Sequence, residues 1–133
     1  MTQTIDKLAW LHIENNRVLC VRSHGKETFY IPGGKRDPGE NDQTALIREI
    51  QEELSVDLKP NTLSHFGTFS AQADGKPEGT LVQITCYQGQ YSGELAIASE
   101  IAEMAWLNSA DVNRCSVVVQ NLFERLKQDG LIG

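Results

Sequence analysis

Cysteine is scarce in this sequence, and its spacing suits neither a metal site nor a disulfide framework. The three cysteines, Cys20, Cys86 and Cys115, lie far apart, with no CxxC pair and an odd total. This usage is typical of a reducing compartment, where free thiols serve as small apolar residues of the core. We therefore expect all three to be buried and chemically inert.

Long apolar runs are also missing. No stretch approaches the roughly 20 apolar residues that a membrane-spanning helix needs. The segment 1–10 has no apolar stretch behind a basic start, which a secretory signal would show. We expect a cytoplasmic protein that does not bind a membrane.

Basic residues are outnumbered, because 12 Lys and Arg face 18 Asp and Glu and give a net charge of −6. Such a chain is a poor candidate for binding nucleic acid, which requires a positive surface. A small anionic ligand stays compatible if a bound cation neutralises it locally. The length of 133 residues predicts a single domain over residues 1–133, acting as a monomer or a homodimer.

Turn residues and apolar periodicity predict a mixed sheet between helices. Stretches of strand character fall at Leu8–Ile13 and Arg17–Val21, which we interpret as a β-hairpin, and at 29–31, 63–71 and 80–88. The region 100–107 leads into a short strand that ends at Trp106-Leu107. A final helix is predicted to begin at Ser116 and to stop at Gly130.

A second helix is predicted over residues 42–54, which contain neither glycine nor proline, with Asn41 as its N-cap. Leu46, Ile47, Ile50 and Leu54 recur at spacings of three and four and form the buried stripe. The helix therefore presents one apolar face to the core.

Three glutamates of this helix, Glu49, Glu52 and Glu53, are spaced so that they are neighbours, and we expect them on another face than the apolar stripe. Like charges placed this way repel each other, and a divalent cation would turn that repulsion into a binding site. A solvated acidic face is the ordinary alternative. The Pro32-Gly33-Gly34 turn before the helix favours a site, because its backbone can approach a ligand closely.

The segment resembles the signature of the Nudix hydrolases, G-x5-E-x7-R-E-U-x-E-E-x-G-U, in which U is a bulky aliphatic residue. The matching residues are Gly34, Glu40, Arg48, Glu49, Ile50, Glu52, Glu53 and Val56. So many matches in register are very improbable by chance. One position departs from the signature, since Ser55 stands in place of a glycine.

Membership of this family would imply an α/β fold, a Nudix-type α/β/α sandwich around a mixed β-sheet. It would also imply hydrolysis assisted by Mg²⁺, with Mn²⁺ as a substitute, because such hard cations take carboxylate oxygens and phosphates as ligands. By resemblance, the metal ligands are Glu49, Glu52, Glu53 and the carbonyl of Gly33. Glu40 and Arg48 join the three glutamates as catalytic residues, and Gly34 and Lys35 would contact the substrate.

Two residues outside the signature match the MutT-like branch of the family. Glu100 lies six positions before Trp106, the spacing that this branch uses for a further metal ligand, whereas Glu103 falls three positions short. Arg22 occupies the position of a substrate-contacting arginine. Either residue could instead be an ordinary surface side chain.

The substrate implied by the resemblance is a nucleoside diphosphate derivative. A (deoxy)nucleoside triphosphate, split to a monophosphate and pyrophosphate, fits a short MutT-like chain best. ADP-ribose, a nucleotide sugar or another diphosphate is one alternative, and a catalytically silent nucleotide-binding module is another, although all four signature carboxylates are retained. Aromatic residues that could stack on a base or pack in the core are Phe29, Phe69, Tyr87 and Tyr91.

The signature glycine that Ser55 replaces suggests a helix that ends in a left-handed conformation. A serine with the same backbone angles would cost on the order of 1–2 kcal/mol. The helix could instead end differently, with the hydroxyl bonded to a carbonyl of its last turn.

Overall fold

Nine strands and two helices form the part of the chain that the computed structural model describes, residues 3–133. The strands are β1 Gln3–Trp10, β2 Ile13–Glu14, β3 Arg17–Ser23, β4 Gly33–Gly34, β5 Asp57–Leu58, β6 Ser64–Gln72, β7 Thr80–Gln88, β8 Tyr91–Ser92 and β9 Ile101–Leu107. The helices are α1 Asp42–Leu54 and α2 Val117–Gln128, and short 3₁₀ turns occupy Pro60–Thr62 and Ser109–Arg114.

The largest sheet has four strands in the order β4-β1-β7-β6. Strand β1 runs parallel to β7 and antiparallel to β4, while β6 and β7 form an antiparallel hairpin. A second sheet has the order β2-β3-β9, and β5 pairs with β8. The predicted mixed sheet is confirmed.

The predicted hairpin between Leu8–Ile13 and Arg17–Val21 is wrong over most of its length. Strand β1 pairs with β7 and β4, and only Ile13 and Glu14 pair with β3. The Asn15-Asn16 turn forms as expected, since both residues adopt positive φ angles. However, the apolar stretch before this turn passes from the four-stranded sheet to the three-stranded sheet. The pairing of β1 with β7 joins residues far apart in the sequence, so it leaves no local signal.

The stretch 29–31 is a weaker strand than predicted. Tyr30 forms an isolated antiparallel bridge with Val21, and Phe29 forms an isolated parallel bridge with Cys115. These single bridges still fix the path of the chain toward the Gly33-Gly34 turn.

The core consists of two clusters, because successive residues of the strands face opposite sides. Leu8 and Trp10 of β1 pack with α1, whereas Ala9 and Leu11 pack with α2. Strand β3 alternates in the same way, so the sheets lie between the two helices. The three cysteines are buried and form no disulfide bond, as expected.

Both helices begin and end close to where the sequence predicts. Asn41 caps α1, since its side-chain Oδ1 accepts a hydrogen bond of 2.8 Å from the backbone N–H of Thr44. Helix α2 follows Ser116 and ends before Gly130, which has a φ of 74°. Within residues 3–133, neither helix has the length and apolar composition that crossing a bilayer would require.

Candidate active site

Two glycines bring strand β4 into close contact with its neighbours. Gly33 has a φ of 150°, and a Cβ atom there would lie 2.0 Å from the carbonyl oxygen of Leu8. Only glycine fits this position, because the backbone of β1 fills the space that a side chain would need. The backbone N–H of Gly33 is thereby free to face α1, where it donates a 3.2 Å hydrogen bond to Oε1 of Glu53.

The second glycine packs against the carboxylate of Glu49. A Cβ atom at Gly34 would lie 2.5 Å from Cδ and from Oε2 of Glu49. Burial raises the pKa of Glu49, and the adjacent Arg48 opposes that rise. The absence of a side chain at Gly34 thus creates the space in which the Glu49 carboxylate lies.

Arg48 joins the loop before α1 to the helix itself. Its Nε and Nη2 atoms donate paired 2.8 Å hydrogen bonds to the two carboxylate oxygens of Glu40. Its Nη1 donates to Glu49 at 2.9 Å and to Glu52 at 3.4 Å, and Nη2 also reaches the carbonyl of Lys35 at 3.3 Å. This planar fork holds the loop and one wall of the site in fixed positions.

The ion pair with Arg48 is the main influence on the pKa of Glu40. The guanidinium lowers the pKa of Glu40 to about 2, helped by a hydrogen bond from the backbone N–H of Asp37. Glu40 is therefore an anchored carboxylate, and it does not line the cavity of the site.

Glu53 does not share the outward face that we expected for the glutamates. It is only 3% exposed and lies within the buried stripe of α1. The reason is helical periodicity, since Glu53 follows Leu46 by seven residues, close to two turns of about 3.6 residues. Burial raises the pKa of Glu53 to about 8, the Gly33 N–H opposes the rise, and the carboxylates of Glu49 and Glu100 add to it.

The loop that carries Glu100 is anchored on the C-terminal end of α1. The backbone N–H groups of Ala96 and Ala98 donate hydrogen bonds of 2.9 and 3.0 Å to the carbonyls of Leu54 and Glu53. These carbonyls would otherwise lack partners at the helix end. The same contacts that satisfy the helix thus hold Glu100 near the glutamates of α1.

Ser55 keeps the left-handed conformation that the signature glycine would adopt, with a φ of 65° and a ψ of 22°. Its hydroxyl donates a 3.0 Å hydrogen bond to the carbonyl of Ala96, in the Glu100 loop, and not to the last turn of the helix. That bond partly offsets the steric cost of the conformation. The departure from the signature therefore adds a contact to the loop.

A cavity of about 580 Å³ opens beside these residues. Six residues that the sequence predicts for the site line it, namely Gly33, Gly34, Lys35, Glu49, Glu53 and Glu100. Four other predicted residues do not line it, namely Arg22, Glu40, Arg48 and Glu52. The structure therefore brings together the glycine turn, two helix carboxylates and the loop carboxylate.

Glu52 and Arg22 lie outside the cavity for different reasons. The side chain of Glu52 is 54% exposed and reaches only Arg48. Arg22 donates a 3.1 Å hydrogen bond to Glu103 and a 2.7 Å bond to the carbonyl of Lys26. The predicted contacts of Glu52 with a metal and of Arg22 with a substrate stay predictions.

The donor chemistry of the cavity fits a hard cation such as Mg²⁺. Glu49, Glu53 and Glu100 supply carboxylate oxygens. The Glu49 carboxylate lies close to the turn, in the space left by the missing side chain of Gly34. Among residues 3–133, no three His, Cys, Asp or Glu side chains converge into a complete metal site. This is compatible with a cation that shares its ligands between protein carboxylates, water and substrate phosphates.

Several residues that line the cavity are not among those predicted from the sequence. They come from four separate segments, namely Lys7, Lys26, Tyr30, Gln72 and Lys76. Lys7 alone had a local signal, a charged residue in an otherwise apolar alternation within a strand. None of the four aromatic residues considered for base stacking lines the cavity. Phe29 is buried in the core and Tyr87 donates a hydrogen bond to Asp42.

Comparisons with known proteins identify the family and the fold of this chain. The model of the NUDIX domain family matches residues 7–125, so the chain belongs to the Nudix family. A protein named ADP-ribose pyrophosphatase from Methanocaldococcus jannaschii is 30% identical over 93 residues, covering 68% of this chain and 53% of the relative. A protein named 8-oxo-dGTP diphosphatase from Escherichia coli strain K12 is 35% identical over 60 residues, covering 42% and 43%.

The chain thus spans about half the length of these curated relatives. Among solved structures, the MutT NUDIX hydrolase from Burkholderia pseudomallei matches with a TM-score of 0.73 and 19% identity, over 93% of this chain and 98% of that one. The E. coli ORF135 protein matches with a TM-score of 0.72 and 18% identity, over 96% and 94%. The fold is therefore the α/β Nudix fold, as the sequence predicted.

The buried carboxylate of Glu53 generates a prediction about stability. A carboxyl group whose pKa is raised on folding destabilises the folded state progressively as the pH rises from its ordinary pKa toward the raised value. In EDTA, the melting temperature of Glu53→Gln should exceed that of the wild type by a margin that widens between about pH 5 and about pH 8.5. Glu124→Gln, on the exposed face of α2, is the control for losing one carboxylate. A margin that stays constant would contradict a Glu53 carboxyl group whose pKa burial raises.

Proposed function

We propose that the chain hydrolyses a phosphoanhydride bond in nucleoside diphosphate derivatives with the help of Mg²⁺, and that (deoxy)nucleoside triphosphates are its substrates. The products would be a monophosphate and pyrophosphate. The observation that carries the proposal is that Glu49, Glu53 and Glu100 line one cavity beside the Gly33-Gly34 turn. Glu49 and Glu100 act on Glu53 as like charges, and a bound cation would relieve that repulsion and attract phosphates.

Each group near the turn has a role in this proposal. Glu49, Glu53 and Glu100 would hold the cation, with Glu52 and the carbonyl of Gly33 as further ligands. When bound, Mg²⁺ would neutralise the phosphates and favour deprotonation of the attacking water. One of the carboxylates would accept the proton of that water.

Arg48 would act by position, because it fixes Glu49 and the Glu40 loop through its hydrogen bonds. Phosphoryl transfer depends mostly on such positioning and on charge stabilisation. The anchored loop around residues 96–98 would likewise keep Glu100 within reach of the helix glutamates.

The two relatives support two substrates. The name of the E. coli relative, 8-oxo-dGTP diphosphatase, favours a nucleoside triphosphate, whereas the name of the M. jannaschii relative makes ADP-ribose the second candidate. The identity of the products separates them, since only a triphosphate yields pyrophosphate.

Metal removal and product analysis test the proposal together. With a panel of nucleoside triphosphates and ADP-ribose, EDTA should abolish turnover, and Mg²⁺ or Mn²⁺ should restore it. Chromatography should detect a nucleoside monophosphate and pyrophosphate. Full turnover in EDTA would exclude the assisting cation, and release of ribose phosphate from ADP-ribose alone would favour the second candidate.

Glu100 and Glu103 offer a matched comparison, because both lie near the start of β9 and only Glu100 lines the cavity. Glu100→Gln should lower kcat by about a hundredfold, since it removes a charge that would bind the cation. Glu103→Gln should lower kcat less than about threefold, because Glu103 pairs with Arg22 outside the cavity. Steady-state kinetics at saturating Mg²⁺ measures both. The reverse order would assign the loop carboxylate to Glu103.

A further inference from the structure

Lys7 is a charged residue in an unusual place, the inward face of an interior strand. Side chains alternate along β1, so Lys7 shares its face with Ile5 and Ala9. It lies opposite Ile84 in the register of β1 and β7. Its side chain lines the cavity together with Ile5 and Ile84. A lysine therefore occupies a position at which an apolar residue would normally pack.

In the part of the chain that the structure describes, no direct side-chain contact pairs the charge of this lysine. Among residues 3–133, its ammonium group forms no hydrogen bond with a side chain and no ion pair within 4.0 Å. Burial lowers the pKa of Lys7, and the charge of Lys35 lowers it further. A half-buried and unpaired ammonium group destabilises a fold, so its presence points to a ligand.

The surroundings of Lys7 indicate the charge of that ligand. Lys35 and Lys76 act on it as nearby positive charges, and Glu53 and Glu100 act as nearby negative charges. All five side chains line the same cavity. Lys7 thus shares the cavity with the carboxylates that would hold a cation and with two further lysines, in a protein whose net charge is −6.

Lys76 reaches the cavity from a loop that a single side chain organises. In the β6–β7 loop, Nε2 of Gln72 donates hydrogen bonds of 3.3 and 2.9 Å to the carbonyls of Lys76 and Pro77, and its Oε1 accepts a 3.1 Å bond from the N–H of Gly79. The loop therefore has a defined shape, in which Lys76 and Asp74 line the cavity.

We propose that Lys7 and Lys76, next to Lys35, form a polyphosphate-binding wall that favours nucleoside triphosphates over diphosphates substituted at both ends, such as ADP-ribose. A triphosphate ends in a free and highly charged phosphate, which these ammonium groups can bind as point charges. A diphosphate with a sugar at each end carries less charge and has no terminal phosphate. The inference rests on the proposed function and names the groups that would select its substrate.

The test uses variants that remove the charge and keep a side chain of similar size. Lys7→Met and Lys76→Gln are compared with Lys59→Gln, whose lysine is exposed and does not line the cavity. Two quantities are measured for each protein with Mg²⁺: kcat and KM for a nucleoside triphosphate and for ADP-ribose, and the Kd of inorganic tripolyphosphate by calorimetry. Thermal unfolding shows whether each variant folds.

Both wall variants should raise KM for the triphosphate and Kd for tripolyphosphate about tenfold, the loss expected for one charge-assisted hydrogen bond. KM for ADP-ribose should change less than about threefold, and Lys59→Gln should match the wild type. Lys7→Met should also melt at a higher temperature than the wild type, because it removes a half-buried charge from an apolar face. A residue with a structural role alone would lower the melting temperature and leave Kd unchanged.

The outcomes separate this inference from the function on which it rests. If the wild type hydrolyses no nucleotide but binds tripolyphosphate through Lys7 and Lys76, the proposed function fails and the wall stands. If the wild type hydrolyses triphosphates and neither variant raises the Kd of tripolyphosphate, the proposed wall is wrong and the proposed function stands. An equal increase in KM for the triphosphate and for ADP-ribose would also overturn the proposed wall. So would a wild-type protein that does not bind tripolyphosphate.

Discussion

The close approach of strand β4 to helix α1 is the constraint on which the rest of the site depends. No side chain can be placed at Gly33 without striking the backbone of β1, or at Gly34 without displacing the Glu49 carboxylate. In the space so created, the Gly33 N–H meets Glu53 and the Glu49 carboxylate lies over the turn. The backbone of one short strand thus sets the positions of two acids.

The surrounding contacts keep this arrangement rigid despite its unfavourable charge. Arg48 ties the loop at Glu40 to the helix, and the carbonyls at the end of α1 bind the loop that leads to Glu100. Neither set of contacts neutralises Glu53, on which the like charges of Glu49 and Glu100 act more strongly than the opposite charge of Lys7. A site that binds a cation commonly shows such a conflict between stability and function.

The sequence predicted the parts of the fold that follow from local pattern. Helix α1 has its cap, apolar stripe and end where the periodicity and Asn41 indicate. The pairing of β1 could not be read in this way, because its partners β4 and β7 are distant in sequence and the Asn15-Asn16 turn favoured a nearby partner. Contacts between residues distant in sequence, and not local propensity, determine the pairing of β1.

The site shows the same division. The signature identified Glu49 and Glu53 as neighbours, and the seven-residue interval from Leu46 places Glu53 on the buried face, but its hydrogen bond with the Gly33 N–H depends on where the helix packs against β4. Lys76 gave no signal in the sequence, since its place in the cavity follows from the loop that Gln72 organises. Spacing along one helix is visible in a sequence, whereas convergence from four segments is not.

The most direct test of the central constraint is the Mn²⁺ affinity of Gly34→Ala, measured by electron paramagnetic resonance. The added methyl group would meet the far end of the flexible Glu49 side chain, so the fold should survive while the carboxylate moves away from the turn. The account predicts that Mn²⁺ affinity falls by at least about tenfold with circular dichroism unchanged. Wild-type affinity in a folded Gly34→Ala protein would contradict it, because the glycine contact would then not determine where the cation binds.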